Sequence, residues 1–116
     1  MLARITSEFD DKVPIVTIDG EIDASNASEV SERLRAAVHN RSPALVVDLT
    51  PTTYIDSAGL NLLFELGREL HERQLELHLV VAPVSPIARV VGIVGLNSAH
   101  PTHPTREAAL EVVGVQ

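Results

Sequence analysis

Ala44-Leu45-Val46-Val47-Asp48-Leu49 and, after Thr50–Ile55, Asp56-Ser57-Ala58-Gly59-Leu60 decide how this chain folds. The first run is apolar on both faces until its end, the mark of a strand buried on two sides. The second opens a helix that starts near Ser57 and carries Leu60, Leu63, Phe64, Gly67 and Leu70 along one side. The six residues between them read as a connection. A serine at such a junction sits among the first free backbone N–H groups of a helix, where the dipole favours negative charge. A phosphate on Ser57 is therefore expected to meet a ready anion site, which makes Ser57 a candidate switch.

Working outward, strands and helices alternate. Leu2–Glu8 and Val13–Ile18 read as two strands joined by a turn at Asp10-Asp11, a hairpin. Asn26 with Glu29 three residues on resembles a capping box, and Ala27, Val30, Leu34 and Val38 follow at helical spacing. Pro43 leads into the third strand, and the second helix runs from about Ser57 to about Arg73. Leu75, Leu77, Leu79 and Val81 alternate with Glu76, His78 and Val80, which predicts a strand with one better buried face. Ser85-Pro86 supplies a cap and a first-turn proline to a helix bearing Ile87, Val90, Val91 and Val94, closed by Gly95. A short strand is expected over Asn97–Thr102, and Thr105 caps a last helix with Ala109, Leu110 and Val113. The order ββαβαβαβα predicts one α/β domain over residues 1–116. Its mixed sheet should have four or five strands, parallel inside and antiparallel at the hairpin, with the helices packed mainly on one side.

Composition narrows the function classes. The formal charge is −7, with Lys12 as the one lysine, and no basic run marks a nucleic-acid surface. Cysteine is absent, so thiolate chemistry and disulfides are out. Neither a signal peptide nor a membrane span is read, and a cytoplasmic location is the expectation. Of His39, His71, His78, His100 and His103, only His100-Pro101-Thr102-His103 is clustered, at a spacing unlike a metal pair; surface or loop positions are expected for all five. Ile55-Asp56-Ser57-Ala58-Gly59 lacks the first glycine of a G-x-S-x-G nucleophile elbow, and no histidine is marked as a base for Ser57. Neither catalysis nor a bound metal or cofactor is expected. Glu65, Arg68, Glu69 and Glu72 read as the solvated face of the second helix.

Gly20-Glu21-Ile22-Asp23, Val47-Asp48-Leu49 and Asp56-Ser57-Ala58-Gly59-Leu60, each at a strand end or strand-to-helix turn, resemble the STAS domain family. More narrowly, they resemble the bacterial anti-sigma factor antagonists, and the likeness runs from Leu2 to Val113. It implies that Ser57 is a phosphoacceptor flanked by Asp23 and Asp56. The unphosphorylated form would bind an anti-sigma factor that is itself a GHKL-type serine kinase, freeing a sigma factor. Phosphorylation would end that binding, and a PP2C-type phosphatase would restore it. The implied partner-facing residues are Asp23, Asp56, Ser57, Ala58, Gly59 and Asn61, on a monomer or weak dimer. Ala58 stands where the family often has Ser or Thr, leaving one acceptor hydroxyl, and Asn61 stands where glycine is common.

Structural readings stand beside these. Ser57 or Asp56 can serve simply as the cap of the second helix, and Asp23 as a turn residue. Gly59 makes room for close approach, either of a neighbouring strand or of a partner backbone. A second function fits the same motifs: a non-catalytic STAS accessory or scaffold subunit of a transporter or of a lipid-trafficking ABC complex.

Overall fold

The N-terminal hairpin forms because Asp11 adopts φ 58°, a conformation that aspartate tolerates better than most residues. It joins β1 (Arg4–Asp10) to β2 (Val13–Ile22) in antiparallel register from Arg4 opposite Asp19 to Asp10 opposite Val13. The computed structural model describes residues 3–38 and 42–114, so Leu2 and His39 lie outside it. β1 starts at Arg4 and ends two residues past the expected Glu8, whereas β2 outruns the expected Ile18 by four residues, and for a reason. Its last residues pair with a strand that was read as connection, β4 (Thr52–Ile55), with Gly20 opposite Thr52 and Ile22 opposite Ile55. The Thr52 hydroxyl, buried, donates to the Ile18 carbonyl at 2.7 Å. Gly20, at φ 124°, sits where the pairing register shifts and donates its N–H to Pro51 O at 3.2 Å.

One flank of β2 thus carries two strands in succession. β3 (Ala44–Asp48) runs parallel to Ile15–Thr17, and β4 takes over at Gly20. β5 (Glu76–Val80) lies beside β3, and the two-residue β6 (Thr102–His103) beside β5, both parallel. The main sheet has the order β1-β2-β3-β5-β6, and β4 brings the strands to six, one more than the most expected.

The helices are α1 (Ala27–Ala37), α2 (Ser57–Glu72), α3 (Pro86–Val94), α4 (Leu96–Ala99) and α5 (Arg106–Gly114). Side chains alternate across a strand, and the core divides accordingly. Val16, Ile18, Leu45, Val47, Leu77 and Leu79 meet α1 to α4. Val13, Ile15, Ala44, Val46 and Val80 meet Ala109 and Val113 of α5. The helices lie mainly on one side, as expected, but the last crosses to the other face. That crossing explains why β5, expected to be one-sided, is buried on both faces: His78 is only 1% exposed.

Local signals account for most helix ends. Ser85 Oγ accepts from Ala88 N–H at 3.1 Å behind Pro86, Gly95 closes α3 at φ 79°, and Thr105 Oγ1 accepts from Ala108 N–H at 3.1 Å. Two expectations fail. Asn26 makes no capping bond to α1; its side chain turns back to the preceding turn. In the segment Asn97–Thr102, Asn97–Ala99 belong to the short helix α4 and only Thr102 joins β6, although the Pro101 carbonyl already accepts from Leu79 N–H at 2.9 Å. The buried face of α2 is Gly59, Leu62, Leu63, Leu66, Gly67 and Leu70, with Leu60 and Phe64 half-buried at its margin.

α5 is anchored by one arginine. Arg106 gives Nε–H to Asp48 Oδ2 at 2.9 Å, an Nη1 hydrogen to Glu8 at 2.8 Å and an Nη2 hydrogen to Thr17 Oγ1 at 2.5 Å. Asp48, at the buried end of β3, also accepts from the N–H and hydroxyl of Thr50.

Candidate functional site

β2 and β4 end together at Ile22 and Ile55, and that shared end builds the site. The Asp56 N–H still donates to the Ile22 carbonyl at 3.1 Å, after which α2 begins. Asp56, in extended conformation, is the cap of α2: Oδ1 accepts from Ala58 N–H at 2.9 Å and Gly59 N–H at 3.1 Å. Oδ2 reaches across the site to accept from Ala24 N–H at 3.2 Å. One carboxylate therefore caps a helix and clasps the turn that follows β2.

That turn is held from within as well. Asp23 Oδ1 accepts from the Ser25 hydroxyl at 2.5 Å and the Ser25 N–H at 2.9 Å. These bonds hold the Asp23 carboxyl below the ordinary 3.8. Asn26, 3% exposed, accepts from Asp23 N–H through Oδ1 at 2.9 Å and donates from Nδ2 to the Glu21 carbonyl at 2.8 Å. The Asn26–Glu29 spacing thus marks a turn lock and not a capping box.

Ser57 is the first residue of α2 and exposed, and its hydroxyl bonds to no described residue. The capping alternative for Ser57 is gone, because Asp56 fills that role. So is part of the expected anion site. The N–H groups of Ala58 and Gly59, expected to be free for a phosphate, already serve the Asp56 carboxylate, which leaves any added anion the helix dipole and a charged neighbour.

Asp23, Asp56 and Ser57 come together at this end of the sheet. Ala58 and Asn61 lie next to them along a groove of about 410 Å³ between α1 and α2, which Ser28, Ser31 and Glu65 also line. An ion pair between Arg35 and Glu69 bridges the two helices along it, and Arg35 also donates to the Ser31 hydroxyl. Gly59 does not join this surface. It is buried, and a Cβ there would stand 2.7 Å from Ile55 Cγ1 and 2.9 Å from Ile22 Cγ2. Of the two close approaches open to Gly59, the structure holds that of the strands, and the residue sets how tightly α2 sits on the ends of β2 and β4.

Sequence reasoning missed Ala24, which acts through its backbone and leaves no trace in residue type. It also missed the histidines of the opposite face. His78 is buried, not exposed; its ring lies 5.1 Å from that of His103, with Nδ1 2.9 Å from His103 Nε2 and Nε2 2.9 Å from Glu76 Oε1. The alternation of Leu77 and Leu79 around His78 pointed the other way, to an outward-facing imidazole, because no second covering layer was expected.

With this geometry in place, comparison with known proteins is informative. The STAS domain family model matches residues 4–109. Osmosensory protein A of Mycobacterium tuberculosis is 32% identical over 81 residues, 70% of this chain and 51% of that protein. The anti-sigma-B factor antagonist of Listeria monocytogenes is 38% identical over 64 residues, 55% of this chain and 56% of that protein. The chain spans about half the length of these curated relatives. The crystal structure of an anti-sigma factor antagonist from Mycobacterium paratuberculosis superposes with a TM-score of 0.85 at 29% identity, covering 97% of this chain and 94% of that one.

Proposed function

The chain belongs to the STAS domain family, and on that premise we propose that it is an anti-sigma factor antagonist switched by phosphorylation of Ser57. The unphosphorylated protein docks a GHKL-type anti-sigma kinase in the cytoplasm through the Asp23 turn, Ser57, Ala58 and Asn61. Phosphorylation releases the kinase, and a PP2C-type phosphatase resets the protein. The named relatives from Listeria and Mycobacterium paratuberculosis support the class. The observation that carries the reading to Ser57 is its exposed, unbonded hydroxyl beside an aspartate that has taken over the capping.

The physics of release is electrostatic. A phosphate adds about −1.5 to −2 charge next to the Asp56 carboxylate and near that of Asp23. The helix dipole returns about 0.3–1 kcal/mol at an exposed site, so the fold tolerates the group. An interface fitted around a small hydroxyl does not, because like charges brought together there cost several kcal/mol. Each 1.4 kcal/mol is about a tenfold loss of affinity.

The test is a binding titration with candidate kinases, run beside intact-mass analysis after incubation with ATP. Ser57→Ala should remain bound and unmodified, and Ser57→Asp should stay folded and bind poorly. Equal affinity of Ser57→Ala and the phosphorylated protein would refute the switch and favour a constitutive assembly subunit.

A further inference from the structure

β1 is an edge of the main sheet. It pairs with β2 on one flank only, and six of its seven residues are exposed. Such an edge carries a row of main-chain donors and acceptors that can template another strand. Two observations say which groups face outward. The two-residue turn Asp11-Lys12 closes on Asp10 and Val13. A turn of that length closes on a pair bonded in both directions, so Asp10, Glu8, Thr6 and Arg4 turn their main-chain groups toward β2. Ile5, of the other parity, accepts at its carbonyl from Arg33 Nη2 at 2.9 Å. Ser7 shares that outward parity, and among the described residues nothing bonds its main chain from that side.

The strand is complementary to itself in reverse. Laid antiparallel on a second copy about a two-fold axis at Ser7, β1 places Arg4 opposite Asp10, Ile5 opposite Phe9 and Thr6 opposite Glu8. No like charges stand opposite one another. Among the described residues neither Arg4 nor Asp10 forms an ion pair, whereas Glu8 is already answered by Arg106. Phe9 is 55% exposed, and Ile5 packs at the margin of the core under α1 to α4. Of the antiparallel two-fold registers, this one alone pairs all seven residues, and it sets the outward groups of Ile5, Ser7 and Phe9 face to face. Arg33 is exposed; it shares the Ile5 carbonyl, which has two lone pairs, or swings to solvent.

We propose that two copies of this chain join through β1, antiparallel about Ser7, so that the sheet of one continues into the other. The contact is isologous, and each ion pair and each Ile5–Phe9 contact occurs twice. At physiological ionic strength the repulsion of two chains of charge −7 is screened beyond about 8 Å. The contacts at the strand itself then decide, and exposed ion pairs with one short ladder make a weak, reversible dimer. No residue of β1 belongs to the Ser57 surface, so the dimer and the switch stand or fall separately.

Sedimentation equilibrium tests it, on the full chain at concentrations up to about 1 mM, high enough to reveal weak complexes. A monomer–dimer equilibrium is expected. Arg4→Asp and Asp10→Arg each set like charges opposite one another at two places in the symmetric pair. Each should weaken association about tenfold or more, the scale of several exposed charge contacts. An equimolar mixture of the two variants restores opposite charges at both places and should associate like the parent, which a folding defect in either could not produce. Ser7→Pro removes an N–H that faces away from β2, so it should keep the parent's circular dichroism and abolish association. A monomer at the highest concentration, parent-like association of Arg4→Asp or Ser7→Pro, a mixture that stays monomeric, or unfolding of Ser7→Pro would each overturn the proposal.

Discussion

Replacing Asp56 by alanine separates the clasp from the switch. The substitution removes both capping bonds, to Ala58 and Gly59, and the bond to Ala24. Loss of an aspartate cap costs about 0.5–2 kcal/mol. The bond to Ala24 is partly exposed and adds about 0.5–1 kcal/mol. A total near 2 kcal/mol follows, equivalent to a fall in Tm of about 8 °C for a domain between the small and medium size classes. Asp56→Asn keeps an acceptor for the helix, but its amide nitrogen cannot accept from Ala24, and the favourable charge at the helix start is lost. It should cost about 1 kcal/mol, with amide shifts concentrated at Ala24 and its neighbours. Ser57→Ala should be nearly neutral, because its hydroxyl holds nothing and alanine is the better helix former. Urea unfolding followed by circular dichroism gives these differences as shifts in midpoint at constant m-value. The reasoning fails if Ser57→Ala destabilises as much as Asp56→Ala, or if Asp56→Ala costs less than about 0.5 kcal/mol.

Three further outcomes follow. Gly59→Ala gains about 1 kcal/mol of helix propensity but drives a methyl into Ile55 and Ile22; overpacking of about 1–3 kcal/mol makes a net loss the expected result in the same urea assay. Arg106→Ala strands the buried Asp48 carboxylate on the Thr50 donors alone and should cost about 2–3 kcal/mol, below the 3–5 of a fully buried pair because the arginine is partly exposed. Arg106→Lys should recover only part, since one ammonium cannot span Asp48, Glu8 and Thr17 together. Burial first, and then a neighbouring imidazole, holds His100 and His103 below the ordinary histidine value of 6.5. Their unfolded forms bind protons more readily, so their contribution to stability is complete above pH 6.5 and declines as pH falls from there toward the lowered values. Urea midpoints measured from pH 7.5 to pH 5 should therefore fall, and His103→Phe should flatten the decline.

The parts of the fold that could be read directly were those where local preference and tertiary packing agree. Leu45–Val47 is apolar on both faces and became the interior strand; Ser85-Pro86, Gly95 and Thr105 ended their helices as their chemistry demands. What stayed hidden depended on a partner distant in sequence. Thr52–Ile55 is only four residues long, too short to show a period, and becomes a strand because Gly20–Ile22 is there to pair with it. The placement of α5 decides that His78 is buried, and nothing within β5 announces which layer will cover it. At the site, the positions of Asp23, Asp56 and Ser57 were legible, but their division of labour was not. Aspartate and serine are both good caps, and only the geometry shows that Asp56 holds three N–H groups and Ser57 none.

The succession of β3 and β4 along one flank of β2 has a consequence for how this chain can diverge. The link between them, Leu49–Pro51, is tied at every residue or its neighbour: Leu49 N–H to Val80 O, Thr52 N–H to Leu49 O, and Gly20 N–H to Pro51 O. Surface loops usually absorb insertions and deletions, but this one cannot. A single added residue would slip β4 by one position and exchange the faces of its side chains, turning Ile55 outward and Tyr54 inward. Ser57 would be displaced along with them, although no site residue had changed. Length variation among descendants of this sequence should therefore be excluded from a three-residue connection that looks, in isolation, like the most dispensable part of the chain.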